Sequence, residues 1–319
     1  MTDDRDGVNI PLSNFDHDDE IDLKELWRIL WSGRWVIFVF SLVFACAGVV
    51  FALMKPNIYE ASVLVAPAQN EGNAPKLANQ IGGLATLAGI SLGQQSGSKT
   101  ILAREILHSR AFVTKFIHRH NLTKQIAAAK KWDEEGEQWI FSEEIINPET
   151  GEWMLDDMGQ SLQPTDWELV KIFMGSHLFI RENKDTGMLT VVVRSVSPMA
   201  SKQWAQWLVE DINEHMRKLD IETAERRIGY LEKKLDQVDI AGMQQVFYQL
   251  IENEMRTVML ANAQKEYVFQ VVDPAVVPQE KVAPKRSMIC ILAILLGGLV
   301  GVVWVLVKGY LLKEKAANI

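Results

Sequence analysis

The chain has 319 residues, a formal net charge of −8, 48% hydrophobic residues and two cysteines. The charge divides into −5 over residues 1–34, −5 over 55–286 and +2 over 308–319, and no concentrated basic face of the kind nucleic acid requires is present. Both cysteines, Cys46 and Cys290, fall inside apolar runs, so a disulfide framework is excluded for the polar middle, which must be held by a packed core.

Residues 1–34 read as a cytoplasmic tail, with an acidic, apolar-poor run from Asp16 to Asp22 that predicts a solvated segment. The first uncharged apolar run, Trp35–Met54, and a second near the other end, Met288–Val307, are each about 20 residues long. A helix of that length rises ~30 Å, the thickness of a bilayer's hydrocarbon core. Transmembrane helices are therefore expected over 35–54 and 287–307, with one translocated domain, 55–286, held at both ends and a short tail, 308–319. A cleaved signal peptide is not expected, because the first run starts late and continues past Ala45-Cys46-Ala47. Lys24, Arg28 and Arg34 before the first span and Lys308, Lys313 and Lys315 after the second favour cytoplasmic termini. Lys55, Lys281, Lys285 and Arg286 weigh the other way, but long domains translocate with little regard to charge.

Within the domain, Ile58–Ala66 is β-branched and aromatic and ends at Pro67, which predicts a strand. A loop and a Gly/Leu/Ala segment, Ile81–Gly93, follow. Lys99–Asn121 carries apolar residues at helical spacing and is expected as one amphipathic helix. Asn147–Gly151 is a turn, Thr165-Asp166-Trp167-Glu168 a capping box, and His177–Asn183 with Leu189–Ser195 a hairpin around Asp185-Thr186-Gly187. Pro198 to about Val238 predicts a helix of about 40 residues, ~60 Å long. Gly242 is expected to interrupt it before a second apolar stripe through Met243, Val246, Phe247, Leu250, Ile251 and Val258. The pair predicts a helical projection with more apolar surface than it can bury alone, and hence a homo-oligomer. Tyr267–Val272 returns as a strand expected to pair with Ile58–Ala66 and close the domain. The fold class is α+β: two transmembrane helices flanking an α/β base with extended helices over about 198–265.

Chemical motifs are weak. Gly93-Gln94-Gln95-Ser96-Gly97-Ser98-Lys99-Thr100 approaches a phosphate-binding loop but has Ser98 where glycine is required. His118 and His120 are two apart and diverge on a helix, so no metal site is expected. Glu134, Glu135, Glu143 and Glu144 read as a solvated face. No catalytic residues and no cofactor are predicted, and the chain is not read as an enzyme. Trp132, Trp139, Trp153 and Trp167 crowd one segment. Core or interface packing is the leading reading, with sugar stacking on an exposed indole the alternative.

The strongest pattern lies at the second membrane boundary. Pro274, Pro278 and Pro284 stiffen the approach, Lys285 and Arg286 sit at its surface, and Gly297 and Gly301 are four apart within the span. Small residues at that spacing let helix backbones approach, and Gly48 with Ala52 offers a matching face on the first span.

The string Pro278-x4-Ala283-Pro284-Lys285-x11-Gly297-x3-Gly301 resembles the signature of the Wzz-type chain-length determinants, the polysaccharide co-polymerases of bacterial inner membranes. Ala283 stands where that family often has serine, and Pro274 is one residue from its usual upstream proline. Glu20-Ile21-Asp22-Leu23-Lys24-Glu25-Leu26 and Ile81-Gly82-Gly83-Leu84-Ala85 extend the resemblance along the chain. It implies a ring-forming regulator with a periplasmic base and a helical projection. Its implied role is to set the modal length of O-antigen or a related surface polysaccharide beside a Wzy-type polymerase, with a lipid-linked glycan as a further contact. A membrane adaptor for a separate cytoplasmic tyrosine kinase in capsule or exopolysaccharide export has the same plan. A two-span sensor needs an output module after the second span, where only Lys308–Ile319 follows, and ranks low.

Overall fold

The structure is a computed structural model that describes residues 23–68, 95–237 and 240–317. The Asp16–Asp22 run, Glu20–Asp22 of the N-terminal motif, the Ile81–Gly93 segment with its Ile81–Ala85 motif, and Val238 lie outside the described residues. In chain order the elements are α1 (Leu23–Ser32), α2 (Arg34–Met54), β1 (Ile58–Pro67), α3 (Gln95–Leu107), α4 (Arg110–Arg119), α5 (Thr123–Ala127), β2 (Ala129–Asp133) and β3 (Gln138–Phe141). There follow α6 (Asp166–Ile172), a π-helical turn (Phe173–His177), β4 (Leu178–Glu182), β5 (Leu189–Ser195), α7 (Pro198–Leu235), α8 (Ala241–Ala263), β6 (Phe269–Asp273), β7 (Lys281–Ala283) and α9 (Arg286–Ala317). They form two units, Met1–Lys55 with Lys285–Ile319, and Pro56–Pro284.

The second unit is built on an antiparallel sheet of order β4-β5-β1-β6, with β7 also pairing β1. Alternation along β1 buries Tyr59, Ala61, Val63 and Val65 on one face, the period-two pattern of a half-buried strand. On the other face Glu60, opposite Arg194 in the register, accepts a 2.7 Å bond from the Arg194 Nε–H. The expected pairing of the late strand with Ile58–Ala66 forms over Leu64–Pro67. The sequence reading missed β7, whose Ala283 and Lys281 pair with Ile58 and Tyr59, so the two places where the chain enters and leaves this unit lie on neighbouring strands.

The first half of α7 lies on this sheet. Trp204, Ala205, Leu208, Ile212 and Met216 are fully buried among Phe116, Phe173, Val63, Val65 and Phe269. Polar groups caught there are satisfied: the Asn213 Oδ1 accepts from the Val268 and Phe269 N–H groups (2.8 and 2.9 Å), and its Nδ2 donates to the Phe269 carbonyl at 2.8 Å. The outer half of α7 pairs with α8. Ala224 of that half and Ala261 of α8 are buried, and Arg227 reaches Glu254 at 3.1 Å.

Local signals act as expected in several places. Thr165 and Glu168 form the reciprocal cap of α6, and Gly187, at φ +67°, closes the β4–β5 turn with the Asn183 side chain accepting from the Asp185 and Thr186 N–H groups. Two expectations are corrected. The helix over Lys99–Asn121 is two helices, because Ser109 Oγ accepts from the Phe112 N–H and starts α4 anew. Apolar periodicity runs across the break and hides it. Gly242 lies inside α8; the break falls earlier, where Asp236 and Gln237 end α7 and Ile240 is extended. Within the stretches read as tails, residues 23–32 form α1 and α9 continues past Lys308 to Ala317.

Candidate functional site

In the first unit, α2 and α9 are antiparallel and in contact along their length. Glycine sets their separation. A Cβ on Gly297 would lie 2.9 Å from the Phe40 carbonyl oxygen and from Ser41 Cα, and one on Gly301 2.8 Å from Ile37 Cα. These are backbone contacts that no side chain can relieve. Gly48 faces Ala293, whose Cβ a Cβ on Gly48 would meet at 2.6 Å, and Ala52 is buried in the same unit. Gly48 thus meets the first turns of α9 rather than Gly297 and Gly301, which take Ile37, Phe40 and Ser41 as partners. Cys46 is exposed and Cys290 half-buried.

The proline-rich approach is an irregular strand edge. Pro274 directly follows β6, Pro278 is half-buried in the connection to β7, and the Ala283–Pro284 bond is cis. The Lys285 carbonyl accepts from the Met288 and Ile289 N–H groups at 3.0 and 3.2 Å, placing Lys285 at the cap of α9.

The four tryptophans form no common platform. Trp132 and Trp139 meet edge to face across the β2–β3 hairpin at 5.3 Å, and Trp139 stacks on Trp204 of the core. Trp153 pairs with Ile146 through a short bridge. Trp167 alone is widely open, at 58% exposure, with the Lys171 ammonium 5.1 Å from its ring, and lines an open groove with Leu162, Gln163 and Glu168.

Lys99, the cation of the near-miss phosphate loop, is bound to Asp220 at 2.6 Å. The Tyr267 hydroxyl donates to the same carboxylate oxygen at 2.6 Å, and burial together with that acceptor pushes its ionisation up. The triad ties α3, α7 and the approach to β6 and uses the lysine structurally. His118 and His120 diverge, the first to Asp166 (2.8 Å), the second to Asp211 (3.0 Å) while stacking on Trp207. Of the acidic cluster, Glu134 accepts from the Tyr59 hydroxyl at 2.7 Å, which raises the tyrosine's pKa. Among the described residues no group of three or more His, Cys, Asp or Glu is placed to hold a metal ion.

A charged network on α4 and α7 was not singled out in the sequence. Arg119 reaches both Asp211 (3.0 Å) and Glu214 (2.7 Å), and Lys218 reaches Glu214 at 2.6 Å. Hydrogen bonds from Lys218 and then Arg119 lower the Glu214 pKa to about 2. The Glu214–Lys218 spacing of four is legible in sequence; the third partner, 95 positions away from Glu214, is not.

Two apolar helices flanking an α+β domain with a long antiparallel helical hairpin define a two-span protein with one large domain between the spans. Residues 19–120 match the family model of the chain length determinant protein, Wzz, and residues 236–310 match that of the "G-rich domain on putative tyrosine kinase". The N-terminal third of the chain, which holds the first apolar helix and β1, is thus similar to the chain-length determinant family. No curated protein sequence matches it significantly. Among solved structures, a "full-length bacterial polysaccharide co-polymerase" aligns over 92% of this chain and 99% of its own at 15% identity, with a TM-score of 0.39. A fragment of WzzB, a polysaccharide co-polymerase from Salmonella Typhimurium, aligns over 71% of this chain and all of its own at 11% identity, with a TM-score of 0.29. Similarities of that order carry no argument about individual residues.

Proposed function

We propose that this protein sets the modal length of O-antigen or a related surface polysaccharide as a homo-oligomer in the bacterial inner membrane. Its termini lie in the cytoplasm, its 55–286 domain in the periplasm, and a Wzy-type polymerase acting on a lipid-linked glycan performs the chemistry. The observation that carries the reading is the chain length determinant match over residues 19–120, which spans α2 and β1 and runs to the end of α4. Exposed apolar residues on α8, including Met243, Val246, Leu250, Met255 and Met259, support self-association. Deletion of the gene should abolish the modal band of surface polysaccharide on a gel, and plasmid complementation should restore it. An unchanged length distribution overturns the reading.

The glycine contacts supply a sharper test. Leucine at Gly297 or Gly301 must push α9 off the α2 backbone while keeping the span apolar enough to insert. The expected result is a broadened or shifted length distribution at normal protein abundance. Lys285→Ala should do less, because Arg286 keeps a positive charge at the boundary.

The match over residues 236–310 favours a second reading, an adaptor for a separate tyrosine kinase in capsule or exopolysaccharide export. Tyrosine phosphorylation in the deletion strain separates the two: its loss supports the adaptor, while loss of the modal band with phosphorylation intact supports the length regulator.

A further inference from the structure

The ten residues of α1 precede the first span with only Gly33 between them. Their sequence places Leu23, Leu26, Trp27, Leu30 and Trp31 at i, i+3, i+4, i+7 and i+8, one apolar face on a helical backbone. Leu30 is half-buried and α1 packs on α9, whereas Trp27 and Trp31 are 67% and 60% exposed and stack on each other at 6.1 Å. The Arg34 guanidinium lies 5.2 Å from the Trp31 ring, and Trp35, four residues on, packs edge to face with Phe38 at 6.3 Å. Trp27, Trp31 and Trp35 therefore run at intervals of four from α1 into the exposed apolar surface of α2, which continues through Phe38, Val39, Leu42 and Val43.

Gly33 fixes this junction. Val305 of α9 occupies the space its Cβ would need, and its carbonyl accepts from the Val36 and Ile37 N–H groups at 2.9 and 3.2 Å. The first helix is thus held against the same bundle that crosses the bilayer.

We propose that α1 is a membrane-surface helix, seated at the headgroup–acyl boundary of the leaflet entered by the N-terminal end of α2, with the Trp27 and Trp31 rings as its anchors. Lipid is the occupant because the indole face is continuous with a surface that already faces lipid. Indoles with an apolar body and a polar N–H are also the side chains that partition to that depth. Arg34 beside Trp31 marks headgroup level. Charge contributes little: Lys24 and Arg28 are offset by Glu25, and the acidic Asp16–Asp22 run precedes them. Seating therefore follows apolar burial and persists in zwitterionic lipid. The inference rests on the two spans alone and not on the chain-length reading.

The test uses the full chain in lipid nanodiscs, with Cys46 and Cys290 changed to alanine and single nitroxide labels placed at Trp27→Cys, Arg28→Cys, Trp31→Cys or Ser32→Cys. Labels at 27 and 31 should be relaxed more by oxygen than by a water-soluble nickel chelate, and labels at 28 and 32 the reverse, with phosphatidylcholine or a phosphatidylglycerol mixture alike. Equal nickel access on both faces puts α1 in water and overturns the proposal. Shielding of 27 and 31 from both probes seats them on protein, such as a second copy, and overturns it too. Because cysteine removes an anchor, a second measurement keeps the side chains aromatic. The fluorescence lost in Trp27→Phe/Trp31→Phe should be a component that lipids brominated near the top of the acyl chain quench, and its insensitivity to them counts against the proposal.

Discussion

Two halves of one helix, α7, meet opposite conditions. Residues 198–216 bury Trp204, Ala205, Leu208, Ile212 and Met216 against the sheet, with Asp211 and Asn213 held by named partners. Residues 217–235 bury only Ala224 and leave Tyr230 open. Composition does not separate them: the outer half also carries apolar residues, Leu219, Ile228, Leu231 and Leu235, at core-like spacing. The difference is the number of partners. The inner half has a sheet, α4 and the π-helical turn around it, whereas the outer half, beyond the Asp220 contact with Lys99 and Tyr267 at its start, has α8. A helix's stability thus comes from what its stripe is set against more than from the stripe itself.

The inner half should break hardest. Trp204 touches Trp139, Phe173 and His177, and Trp204→Ala should cost about 3–5 kcal/mol, the usual range for emptying an aromatic core site. It should be read as a lowered unfolding midpoint of the full chain in detergent. Asn213→Leu fits the apolar surroundings but strips the Val268 and Phe269 N–H groups of their acceptor. Each buried group left unpaired costs about 1–3 kcal/mol. A loss below about 1 kcal/mol would mean that water reaches the start of β6.

Acid sharpens the contrast, because His177, His215 and Glu214, all with lowered pKa values, sit in or around the inner half. His177, its ring N–H bonded to the Arg194 carbonyl at 2.7 Å, has its pKa lowered by burial. The unfolded chain therefore takes up the proton first, and stability that is complete above about pH 6.5 falls as pH drops below it. His177→Gln should reduce the slope of that part of the stability–pH curve, with His215, also lowered by burial, supplying the rest. Glu214 acts lower: its pKa of about 2 lies beneath an ordinary value of about 4.3, so its contribution is present above that value and lost as pH falls through 2. With a quarter of the side chain exposed, solvent screening reduces this to about 1 kcal/mol. Glu214→Gln should remove that share at pH 7 together with the Lys218 ion pair that starts the outer half.

What the sequence made legible follows the same division. Local signals carried through: strand β1 from its β-branched run, the α6 cap from Thr165 and Glu168, the hairpin turn from Asp185-Thr186-Gly187, and both apolar helices from their length. Strand β7 is three residues long and too short to show a period. The Ser109 break was masked by apolar residues on both sides. The Lys99–Asp220–Tyr267 triad joins positions 168 apart, a pairing that no spacing rule reaches. For the membrane glycines, residue type was legible, but their partners on α2 needed the antiparallel register.

The smallest effect on folding should come from the outer hairpin. On α8 the stripe read from sequence divides: Phe247, Ile251 and Val258 are half-buried, whereas Met243, Val246 and Leu250 are exposed, together with Tyr248, Met255 and Met259. Replacing Met255 and Met259 by serine removes apolar surface that this chain does not bury, so the unfolding free energy should change by less than about 0.5 kcal/mol per site. Mass measurement in nanodiscs should nevertheless show smaller assemblies, because a second copy is the partner proposed for that face. A loss near 2 kcal/mol with the mass unchanged would place these methionines inside the chain's own packing. The two halves of α7 would then differ in degree and not in the kind of partner they require.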